Sequence, residues 1–133
     1  MKKHLQVAAA LIFENGKLLA TKRGDSPFSY VAHKYEFAGG KIEAGERGEE
    51  AVARELKEEL DLDVRVGALY ACDTFEYPDF IITLWLYECE MLSAFHLKEH
   101  ESYRWFSPKE LNAEEWAPAD AEIVNGIKRV FGE

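Results

Sequence analysis

The chain has 133 residues and a formal net charge of −9 at pH 7, from 25 acidic and 16 basic side chains. That length suits a single domain, residues 1–133, with a real core, and the acidic balance excludes a broad nucleic-acid or anionic-membrane footprint. No apolar run approaches the ~18 residues that span a bilayer. The first apolar stretch is broken at Glu14-Asn15-Gly16, so a signal peptide is not expected. Cys72 and Cys89 form neither a C-x-x-C pair nor a disulfide framework; reduced thiols in a cytoplasmic protein are expected.

In chain order, Val7 to Phe13 is apolar enough for a buried strand. Asn15-Gly16 is a two-residue hairpin signal, and Lys17 to Lys22 returns as the second strand. Gly24 to Tyr35 has no period and reads as a loop with exposed aromatics at Phe28 and Tyr30. Tyr35 to Phe37 is a short strand entering a Gly39-Gly40 turn. Arg47 to Leu60 is a helix, with Glu49 and Glu50 at its positive end and Val52, Ala53, Leu56 and Leu60 as its apolar face. Asp61 stands where a left-handed residue closes the helix, a conformation Asp tolerates better than most. Strands follow at 63–71, 80–90 and 103–106, the second of these buried on both faces. Ser107 and Pro108 open a short helix. Ala119 to Phe131 is a terminal helix whose inner face is Ile123, Ile127, Val130 and Phe131.

Glu55, Glu58 and Glu59 follow the spacing i, i+3, i+4, so a helix places all three carboxylates on one face. Two such charges at about 4 Å repel by roughly 4 kcal/mol at an effective dielectric near 20. An exposed helix relieves this by splaying the side chains into water, and a solvated acidic face is the plain reading of E-x-x-E-E alone. The glycines upstream let backbone approach the same point, which makes a cage for a hard cation the alternative.

The wider pattern decides between them. Gly40, Glu46, Arg54, Glu55, Leu56, Glu58, Glu59 and Leu62 occupy the fixed places of the Nudix box, G-x5-E-x7-R-E-U-x-E-E-x-G-U, with Asp61 replacing its second glycine. The resemblance extends over nearly the whole chain, toward the MutT-like branch. It implies an α/β fold, an α/β/α sandwich around a mixed sheet, and hydrolysis of a nucleoside triphosphate to a monophosphate and pyrophosphate. It further implies that Glu55, Glu58 and Glu59, with the Gly39 carbonyl, hold Mg²⁺, for which Mn²⁺ substitutes. Arg54 orients the catalytic glutamate, or simply pairs with Glu50 or Glu58 along the helix. Gly40 and Glu46 are structural, Glu46 bracing the loop.

Lys98-Glu99-His100 falls where MutT-like enzymes carry a loop glutamate that binds metal or acts as base, so Glu99 joins the metal set. Glu101 is its rival, and His100 reads as a solvated loop residue. The general base is Glu55, then Glu58, then Glu99 in order of preference. Arg23 matches a phosphate-contacting arginine, the alternative being a strand-end charge. Tyr77-Pro78-Asp79-Phe80 resembles a MutT segment in which Phe80 replaces an arginine near the base, and stacking replaces a cationic contact.

Asp120, in Ala117-Pro118-Ala119-Asp120, takes the place of an Asn that reads 8-oxoguanine. This form and Glu36-Phe37-Ala38-Gly39-Gly40 resemble the CTP pyrophosphohydrolase branch. Ionised Asp only accepts hydrogen bonds, which suits the cytosine amino group without excluding 8-oxoguanine. Its other reading is a cap for the terminal helix. The expected partner is a small nucleotide, 8-oxo-dGTP or a cytidine nucleotide, and neither nucleic acid nor membrane; no oligomeric state follows. The rival functions are hydrolysis of a nucleotide sugar or dinucleotide, and a non-catalytic nucleotide-binding regulator.

Overall fold

A computed structural model describes residues 2–98 and 100–132. Its strands are β1 (Lys3–Leu11), β2 (Phe13–Glu14), β3 (Lys17–Lys22), β4 (Tyr35–Glu36), β5 (Gly39–Lys41), β6 (Val64–Glu76), β7 (Phe80–Met91) and β8 (Ser102–Phe106). Helix α1 is Gly48–Leu60 and α2 is Pro118–Phe131, with 3₁₀ turns at Pro108–Glu110 and Ala113–Glu115.

The larger sheet runs β5-β1-β7-β6. β1 lies parallel to β7 and antiparallel to β5, and β6 is antiparallel to β7, so the sheet is mixed. In the smaller sheet β3 pairs antiparallel with β2, β4 and β8. The larger sheet is apolar on both faces, as the run of alanines and leucines in β1 requires. Ala8, Ala10, Tyr87 and Cys89 pack with Ala51, Val52, Leu56 and Leu60 of α1. Ala9, Leu11, Leu84 and Leu86 pack with Ile123, Val124 and Ile127 of α2. Each helix thus covers one face, and the expected α/β/α layering is present.

Several local expectations change. β1 begins at Lys3 rather than Val7, because its parallel pairing with β7 runs from Lys3↔Phe80 to Leu11↔Glu88 and holds polar residues extended. β6 continues to Glu76 for the same reason. Gly39 and Gly40 are not a turn but part of β5, paired with Ala9 and Ala8. A Cβ on Gly39 would lie 2.1 Å from the Ala8 carbonyl oxygen, so this closeness needs glycine. Ala51, rather than Ala53, completes the buried face of α1. Ser107 opens a 3₁₀ turn, with Glu110 reaching back to its amide. On α2, Ile123 and Ile127 are buried, but Val130 and Phe131 are 65% and 48% exposed. There Phe131 packs on the ring of Phe13 of β2, with ring centres 5.5 Å apart.

Asp61 closes α1 at φ 50°, ψ 37°, its N–H reaching the Leu56 and Lys57 carbonyls. Because β-branched residues enter this region at a cost of about 1–2 kcal/mol, Asp61→Val is expected to lose that much stability. Asp61→Gly is expected to match or exceed the native chain. Urea unfolding of the three proteins measures the order.

Candidate active site

The sheet edge at β5, the N-terminal end of α2 and the segment following β3 surround a cleft of about 720 Å³. Glu55 and Glu59 of α1 line one end with Gly39 and Gly40. Asp120, Phe80, Phe28 and Tyr77 line the other, and Arg23, Glu36 and His100 contribute to its wall.

The acidic end is organised by Arg54. Its Nε and Nη2 donate to the two oxygens of Glu46 at 2.7 and 3.0 Å, its Nη1 to Glu55 at 3.1 Å and Glu58 at 2.8 Å, and its Nη2 also to the Lys41 carbonyl at 2.9 Å. Arg54 thus bonds Glu55 beside it and pairs with Glu58 one turn along. Glu46 in addition accepts the Glu43 amide at 3.0 Å, tying the loop before α1 to the helix. The Arg54 hydrogen bond first, and that amide second, hold the Glu46 carboxyl down at about 2. Glu55 is pushed the other way: burial raises its pKa even against Arg54.

Glu55 lies directly on β5. A Cβ on Gly40 would fall 1.7 Å from its Oε2, so any larger residue displaces the carboxylate. Glu59 lines the cleft beside it, while Glu58 is exposed and outside the lining. Among the described residues no three His, Cys, Asp or Glu side chains stand close enough to hold a metal as they are; Arg54 draws Glu55 and Glu58 to itself. The donor chemistry nevertheless fits a hard divalent cation: carboxylate oxygens on one helix face, beside a glycine backbone that a Cβ would obstruct. Glu99 lies outside the described residues.

At the opposite end, Asp120 is not the cap of α2. The N-cap position is Ala117, and the Tyr77 hydroxyl accepts the Ala119 N–H at 2.9 Å. Asp120 sits in the first helical turn, 6% exposed, where its Oδ2 accepts the Phe37 N–H at 3.1 Å. Burial, reinforced by the Glu36 charge, raises its pKa well above the ordinary carboxylate value. Phe80 packs against Phe28 and Tyr77, with ring centres 5.4 and 5.0 Å apart. Phe28 and Tyr30 are half-buried, not exposed: Tyr30 donates to Asp79 at 2.6 Å, which draws the 24–34 segment onto the aromatic cluster.

Between the ends, Arg23 Nη1 donates to Glu36 at 3.2 Å, and the other Glu36 oxygen faces His100 Nε2 at 3.2 Å. His100 is not a solvated loop residue, since its side chain is 6% exposed. Burial acts to lower its pKa, but Glu36 outweighs it and the net shift is upward. Glu101 faces away, bonded to His33 at 2.7 Å. The sequence reading named Glu36, Phe28 and Tyr77 without giving them a place in the site: Glu36 and Tyr77 stood only within segments that carry the resemblance, and Phe28 as a loop aromatic.

The NUDIX domain family model matches residues 2–126. An 8-oxo-dGTP diphosphatase from Escherichia coli is 37% identical over 130 residues, covering 96% of this chain and 99% of its own. A CTP pyrophosphohydrolase from the same organism is 35% identical over 126 residues, covering 94% and 93%. The solution structure of the E. coli ORF135 protein superposes with a TM-score of 0.82 at 33% identity, over 97% of this chain and 91% of that one. The crystal structure of a MutT protein from Methanosarcina mazei reaches the same TM-score at 23% identity, over 96% and 95%, a likeness of fold.

Glu46 has its pKa lowered on folding, so its stabilisation is present above the ordinary value of 4.5 and is lost as pH falls toward 2. Glu46→Gln is therefore expected to be less stable than the native chain at pH 6, with the gap closing by pH 2.5. Urea midpoints of both proteins across that range provide the measurement.

Proposed function

The chain belongs to the NUDIX family, and on that premise we propose that its cleft hydrolyses a nucleoside triphosphate to the monophosphate and pyrophosphate. It is a hydrolase acting on pyrophosphate bonds. The observation that carries the reading is one cleft with the Glu55 and Glu59 carboxylates beside glycine backbone at one end and a buried hydrogen-bonding acid among aromatic rings at the other. The first end suits metal-bridged phosphates and the second a nucleobase.

Members of the MutT type use a divalent metal; we assign Mg²⁺, held by Glu55, Glu58, Glu59, Glu99 and the Gly39 carbonyl. When bound, it neutralises phosphate charge and acidifies water. Glu55, whose burial favours its protonated form, takes the proton of the attacking water. The water oxygen bonds to one phosphorus of the α–β anhydride as the bond from that phosphorus to the bridging oxygen breaks; the other phosphate departs with the bridging oxygen, and the products are the monophosphate and pyrophosphate. Arg54 keeps Glu55 aimed, Glu46 and Gly40 keep Arg54 and Glu55 in place, and Arg23 contacts the phosphates. Glu55 and Glu58 would turn from Arg54 to take the cation, and the Arg54–Glu46 tie limits how far the helix end and its loop shift as they do so.

Phe80 stacks on the base and Asp120 reads its edge. Protonated, Asp120 both donates and accepts, as an Asn would. That supports 8-oxo-dGTP as substrate, the name borne by the E. coli relative. Once ionised, Asp120 only accepts, which favours the cytosine amino group and the second relative's CTP.

With Mg²⁺, a panel of 8-oxo-dGTP, CTP, modified dCTP, nucleotide sugars and dinucleotides is expected to yield pyrophosphate from a triphosphate and the highest kcat/KM there. Two phosphorylated halves and no pyrophosphate would point to the sugar or dinucleotide reading, and ligand binding without turnover to a regulator. Glu58→Gln is expected to lower kcat by roughly 10²-fold or more with little change in unfolding midpoint; near-normal turnover would remove Glu58 from the metal set. If the protonated acid reads 8-oxoguanine, kcat/KM for 8-oxo-dGTP falls as pH rises through the raised Asp120 pKa, and Asp120→Asn abolishes that limb. A limb unchanged in the variant assigns it elsewhere.

A further inference from the structure

We infer that His100 is a positioning residue that acts through Glu36 to hold Arg23 ready for the substrate's phosphates. This rests on the reading of Arg23 given above. The Glu36 carboxylate is spanned by its two neighbours: one oxygen takes Arg23 Nη1 and the other faces His100 Nε2, both at 3.2 Å. With both oxygens engaged it cannot rotate away from either. Because Nε2 faces an acceptor, it carries the proton.

The three side chains grade inward. Arg23 is 44% exposed, Glu36 19% and His100 6%. The exposed, flexible member is thereby tied, through a carboxylate, to one locked by packing. The backbone repeats the tie, since Glu101 N–H donates to the Lys22 carbonyl at 2.8 Å and brings the segment after His100 against the end of β3, beside Arg23. Only Nη1 of the guanidinium is bonded to Glu36, and the fork has donors to spare. An arginine ordered before the substrate arrives loses less freedom on binding, and small misplacements of such a group are costly in rate. His100 touches no reacting atom in this arrangement and serves only to keep Arg23 in register.

The test is a double-mutant cycle on kcat/KM for the best triphosphate of the panel, with Mg²⁺ present. His100→Leu is expected to lower kcat/KM about tenfold, mostly through KM. His100→Gln, whose amide N–H reaches the Nε2 position, is expected to stay within about threefold. In an Arg23→Gln background, His100→Leu is expected to cost less than about twofold, because the group it positions is gone. Should His100→Leu lower the unfolding midpoint too far to be assayed, His100→Asn replaces it, since its shorter amide cannot reach Glu36. Independent effects, in which the two substitutions multiply, would overturn the inference, as would native kcat/KM in His100→Leu. Arg23→Gln without effect would instead overturn the phosphate reading, and this inference with it.

Discussion

Glu46, Glu55 and Glu58 share a single guanidinium. Without Arg54 these carboxylates would repel one another and splay into water, and α1 would present an ordinary acidic surface. With it, Glu55 is held over Gly40, the loop before the helix is fastened through Glu46, and the Lys41 carbonyl is bonded from the same group. The acidic helix, the loop and strand β5 are therefore tied together through one side chain. This is why Arg54 matters in the proposed reaction although it touches no substrate there.

That group is delivered to the cleft by backbone closeness. β5 lies so near β1 that Gly39 has no room for a Cβ, and α1 lies so near β5 that Gly40 has none either. Meanwhile β1 and β7 run parallel, so β7 and the segment before it carry Tyr77 and Phe80 to the far end of the same sheet face. The Tyr77 hydroxyl then caps α2 and sets Asp120 against Phe37. Along β1, Gly40 stands level with Ala8 and Phe80 with Lys3, so the glycine pair and the aromatic cluster lie at different points along the sheet.

The carboxyls around this cleft are tuned in opposite directions by identifiable causes. Hydrogen bonds from a guanidinium and an amide pull Glu46 down, whereas burial raises Glu55 and Asp120. A brace is best kept ionised, while a proton acceptor or a base-reading acid gains from a higher pKa. The Glu36 carboxylate lies between Arg23 and His100, whose donors offset its charge.

By itself the sequence determined the elements whose signals are local. The Asn15-Gly16 hairpin, the box helix and the left-handed close at Asp61 follow from spacing, turn chemistry and backbone preference over a few residues. The Arg54–Glu58 pair was legible too, because it spans one helical turn, whereas the bonds from Arg54 to Glu46 in the loop were not. What the sequence left open depends on pairing between distant segments. Polar Lys3 to Gln6 become strand only because β7 lies alongside, and the paired glycines become strand only because β1 does. Val130 and Phe131 continue the helical period but stay 65% and 48% exposed, Phe131 resting on Phe13 of β2. His100 changed most, from a solvated histidine to a buried one whose partner lies 64 residues away, and for Asp120 the helix-cap alternative gave way to a buried carboxyl with its partner 83 residues away. Burial and its effect on charge are properties of packing, and no spacing along the chain encodes them.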